Sequence, residues 1–289
     1  MLKALLKTMR PRQWTKNAFL FAALVFDGKL FHLPDFLRTL AGFGLFCLIS
    51  SAVYIFNDLF DLDADRQHPV KRNRPIALGK LPVPAALAGG VTLSLLAISL
   101  GYLLAWQFAL TILVYLAMML AYSKWLKHIL ILDVLIIAAG FVLRVHAGTT
   151  LIMVERFSPW LYVLMTLLAL YLGFGKRRAE LALLAKDANN HRKVLEGYTL
   201  PLLDQFITIV SGTTIVAYSL YTFFRPEAPS GHTLMLTIPF VVYGVFRYLY
   251  LIQVKHSGGA PEEMLLSDRP LQIAILLWGL AVLAVFYLS

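Results

Sequence analysis

Charge is scarce in this 289-residue chain: only 15% of its residues are Asp, Glu, Lys or Arg, and none of them lies between residues 81 and 123. An uncharged run of that length suits two membrane crossings of about 20 residues each better than a water-facing surface. Cysteine is nearly missing as well. Cys47 stands alone inside an apolar stretch, which excludes an intramolecular disulfide and a paired-thiolate zinc site. No Gly-rich phosphate loop follows a strand-like run, no His-Glu-x-x-His offers a zinc helix, and no Gly-x-Ser-x-Gly elbow offers a serine nucleophile. The N-terminus is basic, but no small-residue cleavage site follows a short apolar core, so no removable signal peptide is expected.

What is present is hydrophobicity: 59% of residues are apolar or aromatic, and the mean hydropathy is +0.73. The expectation is an all-α integral membrane protein, one membrane domain over residues 1–289. Nine spans are predicted near 17–31, 37–56, 85–104, 107–122, 130–149, 158–175, 201–222, 233–253 and 270–288, with an interfacial helix over 1–16. With the N-terminus inside, the inner connections carry twenty Lys and Arg and the outer ones four. That asymmetry predicts a multi-pass protein of the bacterial inner membrane with its long loops, near 57–84, 123–129, 176–200 and 254–269, in the cytosol. It also accounts for most of the net charge of +10, so nucleic-acid binding gains no support.

The most informative stretch runs from Asn57 to Asp65, where an apolar span ends. At 100° per residue Asp58, Asp61 and Asp65 share one helical stripe, with Tyr54 a turn earlier and Asn57 beside them. Three carboxylates so placed repel one another unless a cation lies between them. Oxygen ligands with open positions suit Mg²⁺, which favours a few carboxylates plus the oxygens of a substrate diphosphate. Asn57, Asp58, Asp61 and Asp65 are the candidate metal ligands, the three aspartates also the candidate catalytic residues, and the basic Lys71, Arg72 and Arg74 follow. The plain alternative is a solvated acidic loop.

Other polar groups gather at the same predicted rim. On a helix continuing past the sixth span, Lys176 and Glu180 stand at i,i+4 beside Arg177, a cation and a carboxylate able to grip phosphate oxygens and hydroxyls; positive-inside anchoring is the competing reading. Lys124 and Lys127 are three apart in a short loop, close enough to share one phosphate. Lys16 and Asn17 open the first span, where an interfacial anchor competes with a substrate role. Arg144 lies within a span, about 16 Å along the helix from Asp133 and rotated from it by only about 20°. So deep a cation faces either a structural partner or a substrate.

Asn57-Asp58-x-x-Asp61-x-x-x-Asp65 resembles the first aspartate-rich motif of the UbiA superfamily of intramembrane prenyltransferases, and the nine-span plan agrees. The resemblance implies about nine helices around a central cavity. Most members carry a second aspartate-rich motif between the sixth and seventh spans. Here Lys176, Arg177, Arg178 and Glu180 stand in its place, which argues against a prenyl diphosphate donor. The stretches Arg10–Asn17, Tyr54–Pro75, Tyr122–Lys124, Leu143–Arg144, Gly175–Arg177 and Pro261–Arg269 are similar to the decaprenyl-phosphate phosphoribosyltransferase branch. That branch implies Mg²⁺-dependent transfer of a 5-phosphoribosyl group from 5-phosphoribosyl diphosphate to a polyprenyl phosphate, for cell-envelope glycan precursors. Lys16, Asn17, Tyr54, Lys71, Arg72, Arg74, Lys124, Arg144, Lys176, Arg177 and Glu180 are the expected substrate-binding residues. Competing readings are an aromatic prenyltransferase acting on 4-hydroxybenzoate or a quinone precursor and, from another class, a secondary transporter or lipid flippase. Homo-oligomerisation stays open.

Overall fold

The computed structural model describes residues 1–154, 158–184, 193–224, 232–255, 264 and 267–287, all helix or connection, with no strand among them. Among the described residues eight helices are long and apolar enough to cross a membrane: α3 (Leu33–Phe60), α5 (Val83–Leu104), α6 (Trp106–Lys124), α7 (Leu132–Thr149), α8 (Pro159–Leu184), α9 (Leu200–Phe224), α10 (Ile238–Gln253, with the preceding Thr233–Thr237 turn) and α11 (Arg269–Tyr287). The protein is a multi-pass membrane protein.

The first predicted span takes a different form. After α1 (Leu2–Thr8), residues Pro11–Phe21 wind as a 3₁₀ helix and only Ala22–Phe26, α2, is α-helical. A 3₁₀ helix rises about 2.0 Å per residue, so these sixteen residues reach roughly 30 Å, the thickness of a hydrocarbon core. Close packing accommodates the stretched geometry: a Cβ at Gly148 of α7 would collide with the Leu20 carbonyl oxygen. The segment therefore lies against α7 at glycine distance.

The chain divides into two compact units, Met1–Ile136 with Gly140–Glu155, and Ile137–Ala139 with Arg156–Ser289. In the first, α3 packs along α5 and α6. Helix α1 does not lie free in the interface. Leu5 packs against a buried cluster of Met9, Ile55, Ile76, Leu81 and Ala86, while Leu2 and Leu6 stay exposed. At 28 residues α3 is about 42 Å long, some 12 Å more than a bilayer core, so its last turns emerge into the polar zone carrying Asn57 and Asp58. In the second unit α8 packs on α9 and α10 on α11. Polar bonds stitch these apolar helices, as expected where lipid offers no partner: Tyr171 donates to the Val245 carbonyl at 2.7 Å, and Trp278 Nε1 to the Tyr218 hydroxyl at 2.7 Å.

Candidate active site

The acidic run does not line one uninterrupted helix. Asp61 leaves helical geometry at φ −94°, ψ 8°, ending α3, and α4 (Leu62–Gln67) begins immediately after it. The break turns Asp61 away from its two neighbours. Asp58 and Asp65 face one guanidinium: Arg74 Nη1 reaches Asp58 Oδ1 at 3.0 Å and Asp65 Oδ2 at 2.6 Å. Arg10 adds a second, its Nη2 2.5 Å from the same Asp58 Oδ1 and its guanidinium carbon 4.9 Å from the centre of the Tyr54 ring. Asp61 meets Lys127 Nζ at 2.5 Å and accepts from Asn57 Nδ2 at 3.3 Å. The side chains of Asp58 and Asp65 are only 2% and 4% exposed, that of Asp61 30%. Three carboxylates are thus balanced by three cations, and one carboxylate is open.

The donor chemistry fits Mg²⁺ at that open position. Asn57 and Asp61 offer hard oxygens, and an ammonium already sits against the Asp61 carboxylate, marking where a cation is favoured. Among the described residues no three His, Cys, Asp or Glu side chains form a metal-holding group. A metal here would complete its shell with water and substrate oxygens, the habit of Mg²⁺ rather than of an all-protein cage.

Around this lattice, Lys16, Lys71 and Tyr54 are half-buried and Arg72 is exposed. Lys124 is exposed, with its ammonium 4.7 Å from the centre of the Trp125 ring. His68 caps the turn carrying Lys71: its Nδ1 accepts from the backbone N–H of Val70 and Lys71 at 3.1 and 3.2 Å. Burial, with Lys71 beside it, lowers the His68 pKa below the usual 6.5.

Asn17 and Arg144, both expected to meet substrate, are instead bonded to each other. Asn17 is fully buried, donating to Ser50 Oγ at 3.1 Å and accepting from Arg144 Nε at 2.9 Å. Arg144 also donates to the Gly140 carbonyl at 2.8 Å and the Tyr115 hydroxyl at 2.7 Å, amid the rings of Phe46, Tyr115 and Phe141. Among the described residues no carboxylate pairs with it. Neutral acceptors and π faces offset the cost of burying this charge. Depth explains the outcome: one residue past Lys16, the 3₁₀ winding swings Asn17 from the rim into the interior.

The second unit holds Lys176, Arg177 and Glu180 on α8. Arg177 is buried and pairs with Glu180 Oε2 at 2.7 Å, an i,i+3 contact. Arg178 binds Asp204 of α9 through Nε at 2.6 Å and the Ile252 carbonyl of α10 at 3.2 Å, so it joins three helices. Residues 185–192 and Pro261–Glu263, part of the expected loops, lie outside the described residues. Sequence reasoning missed Arg10 and understated Lys127. Arg10 reads as an interfacial anchor until its left-handed backbone, φ 53°, turns it toward Asp58. For Lys127 the available signal was its three-residue offset from Lys124, the last residue of α6, across the connection that holds the 3₁₀ segment Leu126–His128.

Apolar helices long enough to cross a membrane, with carboxylates paired to guanidinium and ammonium groups where α3 ends, are the makings of a membrane-embedded enzyme. The chain belongs to the UbiA prenyltransferase family, whose model matches residues 18–267, and it is a transferase. It is 36% identical, over 100% of its own length and 94% of the relative's, to the decaprenyl-phosphate phosphoribosyltransferase of Mycolicibacterium smegmatis. With the enzyme of the same name from Corynebacterium glutamicum it shares 33% identity over 98% of this chain and 87% of the relative. In fold it is similar to a UbiA homolog from Archaeoglobus fulgidus bound to DMAPP and Mg²⁺, with a TM-score of 0.72, 18% identity and 99% of each chain covered.

Proposed function

We propose that this protein transfers the 5-phosphoribosyl group of 5-phosphoribosyl diphosphate to a polyprenyl phosphate of the decaprenyl type, releasing diphosphate. The observation that carries the reading is the near-full-length similarity to two enzymes named for that reaction. The local chemistry agrees. The first acidic motif is present, and Lys176, Arg177 and Arg178 stand where the second motif of a prenyl diphosphate site would lie.

In the reaction the anomeric C1–O bond breaks with its electrons leaving on the diphosphate, and an oxygen of the lipid phosphate forms the new bond to C1. A phosphate monoester is already anionic near neutral pH, so no side chain needs to deprotonate it. Asn57 and Asp61 would hold Mg²⁺, which when bound would supply charge neutralisation for the departing diphosphate. Arg10, Arg74 and Lys127 add fixed positive charge around that leaving group, with Lys16, Lys71 and Lys124 nearby in sequence and at the same rim. Lys176 and Arg177 are assigned to the phosphates of acceptor or ribose, and Glu180 to a ribose hydroxyl. The active face is cytosolic, in a bacterial inner membrane, by the asymmetry of Lys and Arg.

Purified protein given donor labelled in the ribose, Mg²⁺ and polyprenyl phosphate tests this. Label should pass into the organic phase, whereas label placed in the diphosphate should stay in water. Lipid labelled from the diphosphate, with the ribose label left in water, would mean diphosphate transfer and refute the scheme.

A further inference from the structure

Asp58, Asp61 and Asp65 are equivalent as letters in a motif but not in their surroundings. Two of them are buried and each accepts from Arg74 through the same Nη1 atom, with Arg10 on Asp58 as well. A carboxylate that ligated a metal would have to release charge-assisted bonds of this kind, among the stronger hydrogen bonds a protein makes. Asp61 is held as well, by Lys127 and Asn57, but it is 30% exposed, so a metal can approach it and take the place of the flexible lysine. The arginines show the complementary pattern. Each is anchored by a single terminal nitrogen, and among the described residues Nε and the other terminal nitrogen of both Arg10 and Arg74 have no hydrogen-bond partner. Their side chains remain 29% and 24% exposed. A guanidinium held at one corner and open along its fork is set to receive phosphate oxygens two at a time. Arg10 also holds a left-handed backbone, φ 53°, a conformation that non-glycine residues adopt uncommonly.

We infer that Asp58 and Asp65 are positioning residues that aim Arg10 and Arg74 at the diphosphate of the donor, with the metal left to Asn57 and Asp61 as in the proposed function. The acidic run thus splits into an arginine-holding part and a metal-holding part. This rests on the proposed use of a diphosphate donor, and inorganic diphosphate serves as the probe so that the two can fail separately.

The test measures Mn²⁺ binding by electron paramagnetic resonance and inorganic diphosphate binding by calorimetry, on detergent-purified D58N, D61N, D65N, R74A and D65N/R74A proteins. Loss of the Asp61 carboxylate should weaken Mn²⁺ binding by about tenfold or more. D58N and D65N should keep Mn²⁺ affinity within about twofold yet bind diphosphate roughly tenfold more weakly, the scale of one charge-assisted bond. D65N/R74A should bind diphosphate no more weakly than R74A, because the carboxylate acts through the arginine. R74K, which keeps charge but loses the fork, should resemble R74A. Should D58N not fold in detergent, the Asp65 cycle decides the matter alone. Mn²⁺ loss in D65N equal to that in D61N, or additive effects of D65N and R74A on diphosphate, would overturn the inference. A wild-type protein that passes these binding tests but uses another diphosphate donor would contradict the proposed reaction and leave the division of the acidic run standing.

Discussion

The ammonium of Lys127 lies 2.5 Å from Oδ1 of Asp61, at the carboxylate most open to a divalent cation. If Asp61 holds the metal as proposed, metal and lysine would compete for one oxygen, and a bound metal–diphosphate pair would free the lysine to meet the phosphate. Lys127→Ala should lower the Mg²⁺ concentration needed for half-maximal activity and at the same time reduce kcat by about tenfold or more, since a cation near the leaving group is lost. A magnesium titration of both proteins checks this; an unchanged half-maximal concentration would show that the lysine does not compete.

Arg144 should matter first for stability. Arg144→Lys keeps the charge but loses the fork that reaches Asn17, Gly140 and Tyr115 together, at a cost of about 2 kcal/mol. Thermal unfolding in detergent, in a cycle with Asn17→Ala, should show strong non-additivity. Asn17→Asp, which supplies the missing counter-charge, should be tolerated far better than Asn17→Ala.

How much of this was legible from residues alone differs from element to element. The eight long spans were, because about 20 apolar residues in a row have little other use. The first predicted span, near 17–31, is instead a 3₁₀ helix over Pro11–Phe21 and a short α-helix over Ala22–Phe26, because hydropathy carries no information about helix type. The acidic run was visible as chemistry. Its division was not, because that depends on the helix break at Asp61 and the left-handed turn at Arg10, neither of which leaves a glycine or proline at its own position. Asn17, expected beside Lys16 at the rim, is buried against Ser50 and Arg144, a placement that its position at the start of an apolar run did not reveal.

Within the basic stretch of α8, Arg178 and its two neighbours should behave differently. Arg178→Ala breaks the bond to Asp204 and should lower the unfolding temperature, an effect shared by Asp204→Asn. A double change of Lys176 and Arg177 to Ala should raise the KM for a phosphorylated substrate or abolish transfer while the protein stays folded. Equal loss of stability without a KM effect in the double variant would reduce these residues to a topology anchor.

Acid should loosen the turn that carries Lys71. The folded-state pKa of His68 is depressed, so its contribution is present above the ordinary value near 6.5 and is lost as pH falls below it, where protonation ejects the two backbone N–H donors from Nδ1. Activity should decline on that acid side, and His68→Asn, which keeps an acceptor and cannot titrate, should flatten the decline. An identical acid limb in the variant would assign the loss elsewhere.

Orientation can be read in intact cells. In a Cys47→Ser background, cysteines at the exposed positions Asp63 and Lys124 should resist a membrane-impermeant thiol reagent, while one at exposed Met153 should react. Lys29, in the connection after the first crossing, bonds the Met153 carbonyl, so the two expected outer segments meet. Labelling at position 63 from outside would reverse the orientation.

The most direct measurement sets two donors side by side. Purified protein with Mg²⁺ is given 5-phosphoribosyl diphosphate plus polyprenyl phosphate in one reaction, and a prenyl diphosphate plus 4-hydroxybenzoate in the other. Phosphoribosylated lipid in the first and no product in the second is the predicted result. Prenylated 4-hydroxybenzoate, with 5-phosphoribosyl diphosphate left unconsumed, would contradict it.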